Sequence, residues 1–295
     1  MKALRKALWA GWFPLAQLAG RHYIAGATVT EATRTAQRLA GQAFASTICY
    51  WNSEQDAPAL VAQHYADILA ELARTDLASY LSVKATALQY SRELLIGLIE
   101  RAASAGTRIH FDAMWPASAE PTFSLLTDLR AHYPNLSCTL PGRWQRSLTD
   151  AEQLIEWQMP VRVVKGQWAD PAQPDLDPRA GYLAVIERLA GRAAHVAVAT
   201  HDPVLAAAAL QRLRDAGTSC ELELLFGLPT RAVVPIARAA GVPVRMYLPF
   251  GAAWAPYCLS QVRRNPRILW WVARDAALGR AGSLFDTALA ARNSR

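Results

Sequence analysis

The chain of 295 residues is poor in the residues that staple or metallate small folds. It has four cysteines, Cys49, Cys138, Cys220 and Cys258, with no CxxC spacing between any of them. That scatter argues against a zinc site and against a disulfide scaffold, and it suits a reducing, cytoplasmic setting. Six histidines include no HxH pair, so a metal centre built from Asp112, His201, Glu221 and Glu223 is not expected. No apolar run reaches the ~18 residues of a spanning helix, which leaves peripheral membrane contact at most. The formal charge is +7, yet the arginines are scattered along helical stretches with no dense basic run. That pattern gives no nucleic-acid face and is compatible with an anionic cofactor. Residues 1–20 are basic and apolar, but Pro14 interrupts the run and no small-x-small cleavage site follows. A docked first helix is expected there rather than a signal peptide. Without a linker or a shift in composition, residues 1–295 read as one domain: a helical preface over 1–43 and a barrel over 44–295.

What the chain does have is a regular alternation. Its pivot is Val161-Arg162-Val163-Val164-Lys165-Gly166-Gln167-Trp168, a short buried strand that delivers a cation and a flexible backbone to its C-terminal end. Pro171, Pro174 and Pro178 then break the chain before the next helix. Strands are expected at 44–51, 79–84, 108–112, 136–140, 161–165, 195–201, 219–225 and 244–248. Helices are expected near 58–74, 91–105, 120–133, 149–157, 179–190, 203–216 and 230–240, with further helices at 254–264 and 266–278. In the preface, Thr28 and Glu31 have the spacing of a capping box. Eight strand–helix units with right-handed crossovers predict an α/β fold, a (β/α)8 TIM-type barrel with an N-terminal helical extension and extra C-terminal helices. A doubly wound open sheet would want a Gly-rich first turn, and Trp51-Asn52-Ser53-Glu54 is not one.

Barrel active sites form at the C-terminal strand ends. There the sequence offers Lys84, Asp112, Arg162, Lys165, Thr200-His201-Asp202, Glu221 and Glu223, and the eighth strand runs into Pro249-Phe250-Gly251. Each has a structural reading as well. Arg162 can pair with Glu221 or Glu223 inside the barrel, Asp112 can cap a helix, His201 can be a satisfied hydrogen-bonding group, and both lysines can be solvated. So many charged residues at equivalent strand ends nevertheless point to a ligand. A lysine there, Lys84 or Lys165, also admits a Schiff-base enzyme.

Several of these segments resemble the proline dehydrogenase family. The likeness runs from Arg21-His22-Tyr23-Ile24-Ala25-Gly26 through Leu81-Ser82-Val83-Lys84, Phe111-Asp112-Ala113, Val161 to Gly166, and Ala199-Thr200-His201-Asp202. It continues in Glu221 to Gly227 and in Tyr247-Leu248-Pro249-Phe250-Gly251, followed by Trp254-Ala255-Pro256-Tyr257. The resemblance implies a flavin, FAD, across the barrel mouth, and oxidation of a C–N bond by hydride transfer to flavin N5. It places Arg162 at the reactive edge of the flavin, where a cation stabilises the charge arriving on the ring. Val164, Lys165, Gly166, Gln167, Thr200, His201 and Glu223 become cofactor contacts. Lys84, Asp112, Gln167, Leu225 and Tyr257 fall on the substrate side, with Arg162, Lys84 and Asp112 as the catalytic group.

The chain departs from the family at these contacts. An arginine pair that clamps the substrate carboxylate is replaced by Ser260-Gln261, with Arg264 one helical turn on. A strand-four glutamine is Pro141, a strand-seven glutamine is Glu223, Met114 stands for an acid, and Gln167-Trp168 replaces a smaller pair. These changes suggest proline or a proline-like amine whose carboxylate is masked or tethered to a carrier, as in a biosynthetic pathway, with a quinone or oxygen as electron acceptor. The competing reading is a non-catalytic homologue that serves as a partner protein.

Overall fold

The structure, a computed structural model, describes residues 25–251. The expected segments at 1–24, and those that hold Tyr257, Ser260, Gln261, Arg264 and the final helices, lie outside the described residues.

Eight parallel strands close into a barrel in chain order. They are β1 (Phe44–Tyr50), β2 (Ser79–Val83), β3 (Ile109–Phe111), β4 (Leu136–Pro141), β5 (Val161–Val164), β6 (Val196–Ala199), β7 (Cys220–Leu225) and β8 (Val244–Phe250). A helix, α1 (Val29–Ala40), precedes β1, and helices follow β1 to β7: α2 (Pro58–Leu72), α3 (Arg92–Ser104), α4 (Ala119–Leu129), α5 (Ser147–Glu156), α6 (Pro178–Leu189), α7 (Pro203–Asp215) and α8 (Val234–Ala239). The (β/α)8 architecture expected from the alternation is present, with strand limits within about two residues of the expected ones.

Local chemistry explains where elements begin. Thr28 and Glu31 form the capping box of α1: the Thr28 hydroxyl accepts from Glu31 N–H, and the Glu31 carboxylate accepts from Thr28 N–H. Three helices, α2, α6 and α7, start with proline, whose missing N–H has no helical partner to lose. In α6 and α7 the preceding Asp177 and Asp202 supply the cap. The buried face of α1 packs against β1 and β8, outside the seam where the barrel closes, and Ala25 N–H donates to the Pro249 carbonyl at 2.9 Å.

The strands point apolar residues outward to the helices. Ile48, Leu81, Ile109, Leu140, Val163, Val198, Leu222 and Leu248 are all essentially buried in that layer. Many of their inward neighbours are polar. Alternation and register stack Tyr80 and Arg245 near the closed end, Thr47, His110, Arg162 and Glu223 above them, and Ser82, Thr139 and Tyr247 above those. The lowest layer is an ion pair: Arg245 Nε donates to Glu221 Oε1 at 2.8 Å, and His195 Nε2 lies 3.6 Å from the same oxygen. Burial raises the Glu221 pKa, but His195 and Arg245 outweigh it and bring the carboxyl from 4.5 to about 2.

This pair predicts a pH signature. A carboxyl whose folded pKa is depressed stabilises the fold above its unfolded pKa, and that share is lost as pH falls from about 4.5 through about 2. We expect Glu221→Gln to cost about 2–3 kcal/mol at pH 7 and to flatten the dependence of stability on pH between those values. Urea unfolding at pH 7 and at pH 3 checks it; equal losses for the variant at both pH values would contradict this account.

Candidate active site

β5 carries Arg162 into the middle of the barrel because its neighbours Val161 and Val163 face the helices. The guanidinium is 4% exposed, and every nitrogen has a carboxylate partner. Its Nε donates to Glu223 Oε2 at 2.7 Å, Nη2 to Glu223 Oε1 at 2.8 Å, and Nη1 to Asp112 Oδ1 at 2.7 Å. The Glu223 contact is bidentate, the geometry that fits a guanidinium best. Thr47 Oγ1 donates to Glu223 Oε1 at 2.8 Å. Asp112 also accepts from Ser82 Oγ at 2.8 Å and from the Tyr247 hydroxyl at 2.7 Å. Beneath them His110 is 1% exposed and hydrogen-bonds Ser137 and Thr139; burial, then the Arg162 charge, holds its pKa well below the ordinary range. Burial pushes the Cys49 thiol up to about 12, which removes it as a nucleophile.

A cavity of about 950 Å³ opens above this network at the C-terminal strand ends. Of the residues expected at the site, Lys84, Asp112, Arg162, Val164, Gly166, Gln167, Thr200, His201, Glu223 and Leu225 line it together. Lys165 is half-buried beyond the strand end and is not part of that lining. Glu221, expected at the same end, sits lower. On one strand, side chains two residues apart share a face but are separated by about 6.6 Å, so Glu223 meets the cavity and Glu221 meets Arg245.

Each lining residue has a distinct setting. Lys84 reaches the rim, where its Nζ donates to Asn52 Oδ1 at 3.2 Å and to the Tyr50 carbonyl at 3.5 Å. His201 Nδ1 donates to the Pro229 carbonyl at 3.0 Å, while Nε2 accepts from Leu225 N–H at 2.9 Å. Those two bonds fix one neutral tautomer; burial lowers its pKa, and the Lys165 charge adds to the effect. Thr200 accepts from Asp202 N–H at 3.1 Å, and Asp202 caps α7 and pairs with Arg179. The conspicuous Thr-His-Asp run is therefore occupied in shaping the β6–α7 turn.

The loop after β4 holds the opposite wall. Arg143 Nη1 donates to the Gln167 carbonyl at 3.2 Å and Trp144 Nε1 to the Trp168 carbonyl at 3.0 Å. Gly166 has φ of 92°, and a Cβ there would stand 3.0 Å from Pro141 Cβ and 3.1 Å from Arg143 Cβ. Sequence reasoning missed Thr47, Ser82, Tyr247 and Trp144 as parts of the site. The first three carry a readable signal, a polar residue at every second position of an otherwise apolar strand; Trp144 carries none.

Comparison with known proteins agrees with this architecture. No protein-family model matches the chain. It is 24% identical over 269 residues to proline dehydrogenase 1 of Bacillus subtilis, covering 85% of this chain and 88% of that one. It is 23% identical over 280 residues to the proline dehydrogenase of Deinococcus radiodurans, covering 87% and 89%. Among solved structures, proline utilization A (PutA) from Corynebacterium freiburgense superposes with a TM-score of 0.71 at 16% identity, over 95% of this chain and 35% of that chain. The chain thus spans about a third of that longer protein, and at this identity the likeness establishes the fold.

Proposed function

We propose that this chain, a divergent relative of the proline dehydrogenases, is a flavin-dependent oxidoreductase that oxidises a C–N bond of proline or of a proline-like amine, including one whose carboxylate is masked or tethered to a carrier. The observation that carries this reading is the convergence of Lys84, Asp112, Arg162, Gln167, Thr200, His201 and Glu223 on one cavity at the barrel mouth. The cavity suits a flat ring system. Trp51, Trp115, Trp144 and Trp168 stand in its walls, and Gly166 lets the strand-five end approach Pro141 and Arg143 closely.

Bound FAD would supply the acceptor for the hydride leaving the carbon beside nitrogen. Val164, Gly166, Gln167, Thr200 and His201 would hold it. Lys84 and Asp112 would face the substrate, with Leu225 against its ring; Tyr257, Ser260, Gln261 and Arg264, outside the described residues, would be further substrate contacts. Such a substrate reacts only when its nitrogen lone pair is free, so the bound amine must first lose a proton. The electron acceptor would be a quinone or oxygen.

The purified protein tests this directly. We expect flavin absorption bands, and bleaching when a matching secondary amine is added anaerobically, with free proline as the reference substrate. A colourless protein that takes up no added FAD would overturn the reading.

A further inference from the structure

The charge around the cavity runs against that of the whole chain. Its described lining holds four carboxylates, Glu54, Asp56, Asp112 and Glu223, against two cations, Lys84 and Arg162. That is a formal −2 in a protein with a formal +7. Burial and hydrogen bonding keep His201 neutral, so it adds no positive charge.

Arg162 is the cation that a ligand carboxylate would seek at the floor. Its Nε–Nη2 edge, the fork that matches a carboxylate, already holds Glu223, and Asp112 takes Nη1. The three groups together carry one net negative charge. The other lining cation, Lys84, is tied to Asn52 and the Tyr50 carbonyl at the rim. Among the described residues, a ligand carboxylate entering here meets Asp112 and Glu223 and no free guanidinium, whereas an ammonium meets attraction.

We propose that Glu223, by occupying the bidentate edge of Arg162, makes this cavity select cationic amines whose carboxyl group is absent or masked, against free amino acids and anions. This rests on the cavity being the substrate site proposed above, and it names the ligand class that the site accepts.

Calorimetric titration of the full chain, with whatever flavin it carries, tests it with L-prolinamide, L-proline and cyclopentanecarboxylate. L-Prolinamide is expected to bind at least about ten-fold tighter than L-proline, with cyclopentanecarboxylate weaker still. Glu223→Gln should close most of that gap. Because this variant changes a partner in the buried network, Glu54→Gln provides a second arm: Glu54 is an exposed lining residue, and its change should narrow the gap about two-fold without loss of stability. Equal binding of L-proline and L-prolinamide, failure of L-prolinamide to bind, or an unchanged ratio in both variants overturns the proposal. Selective binding by a flavin-free protein would leave charge selection standing and remove the oxidoreductase reading. A flavoprotein that binds and oxidises free proline as readily as prolinamide would do the reverse.

Discussion

Replacing Arg162 by methionine is expected to destabilise the fold by about 3–5 kcal/mol, a fall in melting temperature of roughly 5–8 °C for a domain of this size. The reason lies in what the substitution leaves behind. Glu223 and Asp112 receive three short charge-assisted bonds from one guanidinium. Without it, Glu223 keeps the Thr47 hydroxyl, and Asp112 keeps Ser82 and Tyr247. Neither retains a contacting cation among the described residues, and Glu223 is only 2% exposed. An uncompensated buried carboxylate is among the most expensive groups in a protein interior. The account makes a sharper claim about pairs. Adding Glu223→Leu to Arg162→Met should recover about 1–2 kcal/mol, because removing both partners of a buried ion pair costs less than removing one. Chemical unfolding of the two single variants and the double variant gives the coupling energy, and additive losses would show that Arg162 and Glu223 do not act as a unit.

That network also marks where sequence reading stops. The eight strands are legible because their outward residues form short apolar runs bounded by glycine, proline and polar turns. The capping box of α1 is legible in Thr28 and Glu31 alone, since both partners are local. The pairing of Arg162 is not. On β5 it has Thr139 and Ala197 as register neighbours, yet its partners Glu223 and Asp112 come from β7 and from the residue just past β3. Strand tilt and barrel closure decide which inward residues share a layer, and both are properties of the assembled sheet. The sequence leaves Glu221 and Glu223 as equivalent candidates; the layers separate them, giving Glu221 to Arg245. His201 was visible as a polar residue after a strand, but its two bonds, to Pro229 and Leu225, depend on a loop more than twenty residues away.

The most damaging single methyl group in the described chain should be the one added by Gly181→Ala. Gly181 opens the first turns of α6, and its backbone lies directly on the loop that follows β4. A Cβ on Gly181 would stand 1.9 Å from the Gly142 carbonyl oxygen, and one on Gly142 would stand 2.3 Å from Tyr182 N. Backbone meets backbone on both sides, so no side chain can rotate away, and the two segments must part. The β4 loop cannot move alone, because Gly142 N–H donates to the Val164 carbonyl at 2.8 Å and the next two residues hold the Gln167 and Trp168 carbonyls. Strain at Gly181 is thereby passed to the cavity wall. We expect a loss of about 4 kcal/mol or more, in the range reserved for disrupted packing, together with weakened ligand uptake in whatever fraction folds. Gly97→Ala on α3 is the matched control. A Cβ there meets nothing within 4 Å, and the substitution should stabilise the helix by about 0.5–1 kcal/mol. If unfolding places Gly181→Ala within about 1 kcal/mol of the parent, against that expected loss, the close approach of α6 to the β4 loop does not set the geometry of the site.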